Sequence, residues 1–372
     1  MKPLRVGFVI DALNPGGGTE NQLLLLLRKW SRSDIEPRLC TLHDTKLEGL
    51  DDVSHLCLRV GRLATPKGFL GLWRMSKWMR QEKLDLMVTF FRDSNLMGTL
   101  AAKFAGVPVV SSRRNLGKGY WHTPNEIRRL RFLNGMTQGF IANSDAVRRY
   151  TIETEGVPEH AITVIPNAID LDRFRPRTNQ ERPELLPSGF LIGCVANFRP
   201  IKGLDLLIPA FAQVADHALK PQLVLFGAGD TEPELRRLVR DHGIESQVHF
   251  LGRRHDVPDL LPHLDMAVLP SRGESLSNAV VEYLAVGLPV VATDVGGTRE
   301  LLLEGGLGSL VPPESSEALG KALLALLNDP DRRAQLGRDA VASVKKRFAV
   351  DAVLPMWIET LRRFHAGEPP PA

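Results

Sequence analysis

The segment ESLSNAVVE carries two glutamates, Glu274 and Glu282, with seven residues between them. An apolar run ending at Pro270 precedes the segment, and the apolar stretch Ala279 to Val286 continues it. That order places Glu274 in a loop at a helix entrance and Glu282 on the helix itself. The amides of Ser275, Leu276, Ser277 and Asn278 are then helix-start donors, suited to an anion or to sugar hydroxyls. A carboxylate in such a place accepts two hydroxyl hydrogen bonds at once, as a vicinal diol or a hexose demands. The bland alternative is a loop charge and a solvated helix residue, and the choice depends on what else the chain brings to the same place.

Arg199 and Lys202 stand upstream in CVANFRPIKGLDLL, directly after another apolar run. Arginine offers a planar fork to a diphosphate, and lysine adds a compact point charge. Together they match the charge that builds on a departing nucleoside diphosphate, which other enzymes meet with a divalent metal. A basic pair on a surface loop is the competing reading. Gly16, Gly17 and Gly18 lie after the first apolar run and before Glu20. Glycines let backbone approach a phosphate closely, with a helix start supplying donors. The G-x-G-x-x-G spacing of dinucleotide sites is absent, so a plain turn is the alternative there. Gly227 and Gly229, after Gln222 to Phe226, form a weaker case of the same kind.

Short β-rich runs alternating with helical patterns position these residues, the pattern of parallel α/β layers. Expected strands in the first half are Leu4 to Ile10, Arg38 to Leu42, Leu84 to Phe90, Val107 to Ser111, Phe140 to Asn143 and Thr163 to Pro166. Expected helices run Glu20 to Trp30, Lys67 to Gln81, Ser94 to Phe104, Asn125 to Leu133 and Ser144 to Thr154, the last capped by Ser144. Pro176, Pro183 and Pro187 mark a linker, and the alternation then restarts. Strands are expected at Phe190 to Ala196, Gln222 to Phe226, Val248 to Leu251, Met266 to Leu269 and Val290 to Thr293, with Thr231 and Glu234 as a capping box. The division is a first domain 1–172, a linker 173–188 and a second domain 189–350, followed by a helical segment 351–366. Two such open sheets leave a cleft, and ligands bind beyond the carboxyl ends of their strands.

Bulk properties fit this division. A chain of 372 residues exceeds one ordinary core, and 43% hydrophobic with 24% charged residues is a normal globular balance. A net charge of +4 is too small to imply a nucleic-acid partner. Cys40, Cys57 and Cys194 are far apart and read as free, buried thiols in a reducing compartment. The ten histidines show no ligand spacing, and Asp170 and Asp172 sit in the turn-forming stretch VIPNAIDLDRF, so no metal site is expected. The apolar runs fall short of the roughly 18 residues a spanning helix requires, which points to a cytoplasmic protein.

The motifs GGGTE, VIPNAID, NFRPIKG, VLFGAGD, FLGRR and ESLSNAVVEYLAVGLPVVATDVGGTREL resemble the retaining glycosyltransferases of family 4 over nearly the whole chain. The resemblance implies the GT-B fold: two Rossmann-like, parallel-sheet α/β domains facing a central cleft. It implies a metal-independent transfer of a hexosyl group from a nucleoside-diphosphate sugar, with no cofactor beyond that donor substrate. Arg199 and Lys202 would hold the diphosphate, Glu274 the transferred sugar, Glu282 the ribose, Gly17 and Gly18 the phosphates, and backbone from Leu251 to Arg253 the base. The attack would come from the front face, the leaving phosphate taking the acceptor's proton. The chain departs from the family where a first-domain histidine is common: SSRRNLG stands there, so Arg113 or Arg114 would replace it, or the role would move elsewhere. Ser275 also stands where a glycine is usual.

The resemblance implies a glycan or lipid-linked acceptor. A nucleotide-sugar epimerase of the same architecture, and a non-catalytic nucleotide-sugar-binding protein, are the alternatives. Two basic and aromatic clusters, Arg74, Lys77, Trp78, Arg80 and Lys83, then Trp121, Arg128, Arg129, Arg131 and Phe132, suit the inner face of an anionic membrane, with ordinary amphipathic surface helices as the competing reading.

Overall fold

In the computed structural model, which describes residues 2–14, 16–45, 47, 49–61, 64–117, 122–176, 181–303 and 306–371, strand after strand divides its side chains between two cores. In β1 (Leu4–Ile10), Val6, Phe8 and Ile10 enter one hydrophobic cluster and Val9 the other. A strand buried on both faces must be apolar at nearly every position, which is why these runs are continuous rather than alternating.

The chain divides into two compact units, residues 1–168 with 350–372, and residues 169–349. After β1 the first unit continues with α1 (Gly18–Lys29), β2 (Ile35–Thr41), β3 (Ser54–Cys57), α2 (Pro66–Gln81), β4 (Leu86–Phe90), α3 (Arg92–Ala105), β5 (Val109–Arg113), α4 (Pro124–Asn134), β6 (Gly139–Ala142), α5 (Asp145–Glu155) and β7 (Ile162–Val164). Its seven strands are ordered β3-β2-β1-β4-β5-β6-β7, and every pairing is parallel. Ser144 caps α5, accepting from the Val147 amide at 3.2 Å, as expected. The last helix, Val350–His365, belongs to this unit and places Trp357, Leu361 and Phe364 in its core.

The second unit contains β8 (Leu191–Val195), α6 (Leu204–Ala212), β9 (Gln222–Phe226), α7 (Glu232–Asp241), β10 (Val248–Gly252), α8 (Val257–Leu260), β11 (Met266–Leu269), α9 (Asn278–Ala285), β12 (Val290–Thr293), α10 (Thr298–Leu302), β13 (Gly308–Val311), α11 (Ser316–Asn328) and α12 (Pro330–Arg347). The strand order is β10-β9-β8-β11-β12-β13, again parallel throughout.

Three expectations need correction. Ile169, rather than residue 173, opens the second unit: its amide donates to Phe348 O at 2.7 Å, and Ile169 and Leu186 are buried in that unit's core. The stretch 173–188 therefore goes with the second unit, although residues 177–180 of it lie outside the described residues. Thr231 makes no capping box; it has helical backbone angles (φ −84°, ψ −3°), and its amide turns back to Phe198 O at 3.3 Å. The strands β3 and β13 were not expected, and both are sheet edges.

Candidate functional site

The pairing of β8 with β11 sets Ile192 beside Met266 and Gly193 beside Ala267, so the loops after these two strands leave the sheet side by side. The first loop carries Arg199 and a single 3-10 turn, Pro200–Lys202, closed by Gly203 at φ +65°. A Cβ at Gly203 would run into the carbonyl of Pro270, so glycine is what lets the second loop approach this closely. Arg272 then ties the loops together. Its amide donates to Ile201 O at 2.8 Å, and its guanidinium forms a two-pronged pair with Asp205 at 2.7 and 2.7 Å and reaches Glu314 at 2.7 Å. Those hydrogen bonds hold the Asp205 carboxyl below its usual range.

Between the loops Lys202 Nζ meets Glu274 Oε1 at 2.6 Å. The same oxygen accepts from Ser271 Oγ, a fully buried hydroxyl, at 2.7 Å. Glu274 Oε2 accepts from no described residue. Arg199 is exposed, and its guanidinium has no partner among the described residues. The arrangement is a fixed carboxylate with one open oxygen, a lysine shared with it, and a free guanidinium three residues before that lysine in the chain.

The helix α9 begins where the sequence suggests. Ser277 caps it, its Oγ accepting from the Val280 amide at 3.4 Å, and the amides of Leu276 and Ser277 donate to no described group. The Ser275 carbonyl accepts from Gly297 at 3.0 Å. Apolar Val280, Val281 and Leu284 drive α9 into the core, while the Tyr283 hydroxyl accepts from the Val195 amide at 2.6 Å, locking the helix to the end of β8. Glu282 keeps some surface but its carboxyl is crowded by protein. Burial pushes it up to about 7, with the charge of Arg173 pulling the other way. It has no hydrogen-bond partner among the described residues. A carboxyl in that state lacks the donors an ionised group requires, and a diol would provide two.

Gly227 does not fit its expected role. Its φ is +146°, a Cβ there would strike Ala196 O, and its amide donates to Gly252 O at 2.8 Å, so the glycine serves the close packing of the loops after β8, β9 and β10. Arg253, just beyond β10, is exposed and without a described partner. Asp170 Oδ1 accepts from the Asp172 amide at 3.0 Å within a turn. Cys40 and Cys194 are buried free thiols, and Cys57 is half-buried.

In the first unit, Gly17 caps α1 and Gly18 is its first residue; a Cβ at Gly17 would run into the Glu20 carboxylate. That carboxyl and the one of Asp11 are both raised by burial. The carboxyl ends of β1, β4 and β5 surround a cavity of about 380 Å³ that includes Asp11, Asn95, Arg113, Arg114 and His122. Arg113 is not available to a ligand as expected: its Nε pairs with Glu155 at 2.9 Å, Nη2 with Asn134 Oδ1 at 2.8 Å, and Nη1 donates to Ser111 Oγ. Arg114 has no such carboxylate. Nothing in the spacing of Asp11 or His122 marks them in the sequence. The cavity is formed by strands remote in the chain, and His122 stands in it with Nδ1 2.8 Å from the Tyr150 hydroxyl.

Two all-parallel Rossmann-like units, one with a lysine–glutamate pair at the carboxyl ends of adjacent strands, define a protein of the GT-B class. The crystal structure of Anabaena HepE in complex with UDP and glucose matches with a TM-score of 0.83 and 23% identity, covering 96% of this chain and 99% of that one. A family model described as Glycosyltransferase Family 4 matches residues 16–173, and one described as Glycosyl transferases group 1 matches residues 189–329. The chain belongs to glycosyltransferase family 4. The lipopolysaccharide core biosynthesis mannosyltransferase LpsB of Rhizobium meliloti is 30% identical over 234 residues, 58% of this chain and 65% of that protein, so the match spans just under two thirds of the relative. An Escherichia coli UDP-Gal:alpha-D-GlcNAc-diphosphoundecaprenol alpha-1,3-galactosyltransferase is 25% identical over 291 residues, 74% of each chain.

Proposed function

We propose that this protein transfers a hexosyl group from a nucleoside-diphosphate sugar to a glycan or lipid-linked acceptor, with retention and without a metal ion. The observation that carries the reading is the Lys202–Glu274 pair at 2.6 Å, with an exposed Arg199 three residues before that lysine and a half-buried Glu282 on α9, neither of which has a hydrogen-bond partner among the described residues. Arg199 and Lys202 bind the diphosphate and neutralise the charge it gains as its bond to the anomeric carbon breaks. The open oxygen of Glu274 accepts from hydroxyls of the sugar, and Glu282 accepts from the ribose diol. The acceptor hydroxyl attacks from the face the diphosphate leaves, and a phosphate oxygen takes its proton.

Removing either cation tests the charge argument. Arg199→Ala and Lys202→Ala should each slow transfer by about 10²-fold or more while the fold persists. EDTA should leave the rate nearly unchanged; strong inhibition reversed by a divalent ion would defeat the metal-free part. Incubation with donor alone should leave the sugar unaltered, since conversion without an acceptor would mark an epimerase.

The lipid-linked part of the proposal is supported by α2. Its exposed residues include Lys67, Phe69, Leu70, Trp73, Arg74, Lys77 and Arg80, and none is acidic. Phe69, Leu70 and Trp73 are 68%, 55% and 59% exposed. Trp78, expected at a membrane surface, is instead buried in the core beside Met75 and Met79. Of the second basic cluster, Phe132 and Arg128 are exposed, Arg129 pairs with Glu126, and Trp121 lies outside the described residues. An apolar strip flanked by cations suits anionic lipid. Co-sedimentation with phosphatidylglycerol vesicles should be lost in Phe69→Ser/Trp73→Ser. Equal recovery of the wild type with and without vesicles would end the idea.

A further inference from the structure

The cavity of the first unit contains a cation that the donor site does not use. Arg114 is 9% exposed, with Nε donating to Ser112 Oγ at 3.0 Å and Nη1 to Asn167 Oδ1 at 2.6 Å. Its guanidinium lies 5.7 Å from the centre of the Phe90 ring and 5.6 Å from that of Trp357. Both hydrogen-bond partners are neutral, and Nη2 donates to no described residue. Burial lowers Arg114 to about 10, and no carboxylate is close enough to offset it. The other cations of this cavity are matched: Arg113 pairs with Glu155 at 2.9 Å and Arg92 with Glu126 at 2.8 Å.

A buried charge without a counter-ion is expensive unless something else supplies one. Two ring faces and two hydrogen bonds fix this fork, which is the preorganisation that recognition of an oxyanion requires. A second feature adds to it. The helix α3, 14 residues long, starts at the same cavity, and the amides of Arg92 and Asp93 donate to no described group. The cavity also holds Asp93 and Asp11, the latter accepting from the Ser94 amide at 2.9 Å and Ser94 Oγ at 2.6 Å through Oδ1. These acids oppose a polyanion but suit hydroxyls. The ligand that fits carries one acidic group for Arg114 and hydroxyls for its surroundings.

We infer that Arg114 is the anion receptor of a site in the first unit, and that the acceptor carries a single acidic group, phosphate monoester or carboxylate, which docks there. Calling this ligand the acceptor rests on the transfer reading above; the anion site itself does not.

Calorimetric titration of the full chain with glucose 6-phosphate, glucuronate and glucose tests this, in wild type, Arg114→Gln, Arg114→Lys and Arg199→Ala. At least one acidic probe should bind about 10- to 100-fold more tightly than glucose, and which one does identifies the source of the charge. Arg114→Gln should abolish that preference, Arg114→Lys should keep part of it, and Arg199→Ala should leave it intact. UDP and GDP titrated into the same proteins should show the reverse dependence, loss in Arg199→Ala and none in Arg114→Gln. Glucose binding as tightly as both acidic probes in wild type overturns the inference even if the Arg114 variants fail to fold, as does an acidic preference that survives Arg114→Gln. Nucleotide binding that survives Arg199→Ala, with the Arg114 dependence intact, would instead overturn the donor reading.

Discussion

Glu282 is a half-buried carboxyl on α9 with no hydrogen-bond partner among the described residues. Its carboxyl is raised from 4.5 to about 7 by burial. Between those pH values the native state holds a proton that the unfolded chain has lost, so stability falls as pH rises through this window. Glu282→Gln removes the titration. The variant should be more stable than wild type at pH 8, by on the order of 1–3 kcal/mol, and the difference should shrink toward pH 5. Donor binding should run the opposite way, strengthening through pH 7 in wild type as the carboxylate forms and staying flat in the variant. Urea melts and nucleotide-sugar titrations at both pH values measure this; an equal loss of stability at pH 5 and pH 8 would mean the residue is merely structural. Glu282 and Glu274 were legible in the sequence because a helix entrance and a helix turn place them locally. Arg272 was not, and Arg114 entered only through the resemblance, as one of the two arginines of SSRRNLG. The role of each depends on partners far along the chain, Asp205 and Glu314 for one, Asn167 and Trp357 for the other.

At the scale of elements, the sequence exposes the central strands and hides two of the four edge strands. Met266–Leu269 and Val290–Thr293 are buried throughout and fall where their apolar runs predict. The edge strands β3, SHLC, and β13, GSLV, are short and largely half-exposed, so they lack the continuous apolar run that marks a buried parallel strand. What joins the elements at the site is Gly203. It occupies the left-handed region and also lies against the Pro270 carbonyl. Gly203→Ala should therefore lose about 1–2 kcal/mol from backbone strain alone and more from the clash, pushing the β8 and β11 loops apart and weakening nucleotide binding. Gly243 gives the matched control: its φ is +66°, and nothing lies within 4 Å of a Cβ built there. Gly243→Ala should show the strain without the loss of binding. Thermal melts with and without UDP compare the two. Similar nucleotide affinity in both variants would show that the close approach at Gly203 does not hold the site together.

At the scale of the whole molecule, the order of residues along the chain and the division into units do not coincide. The chain leaves the first unit at Ala168, builds the second from Ile169 to Ala349, and returns through Val350–His365. The returning helix fills space that nothing earlier in the chain fills: Trp357 and Leu361 are fully buried, and Phe364 lies so close to Gly139 that a Cβ there would overlap its ring. Trp357 stands edge-on to Trp30, 6.1 Å between ring centres, and Trp30 in turn stacks on Phe8 of β1 at 5.0 Å. Periodicity alone marks this segment as an amphipathic helix, but which sheet it covers depends on contacts hundreds of residues away. Trp357→Ala removes a large side chain from a core with little room to collapse, a loss of about 3–5 kcal/mol. Because each unit has its own core, that loss should be local. Hydrogen exchange should show protection falling in β1, β2 and β4 and in the last helix, with β8, β9, β11 and β12 unaffected. Protection falling equally in both sheets would mean that the chain end stabilises the molecule as one cooperative body, and the two units would then have to be treated as a single folding domain.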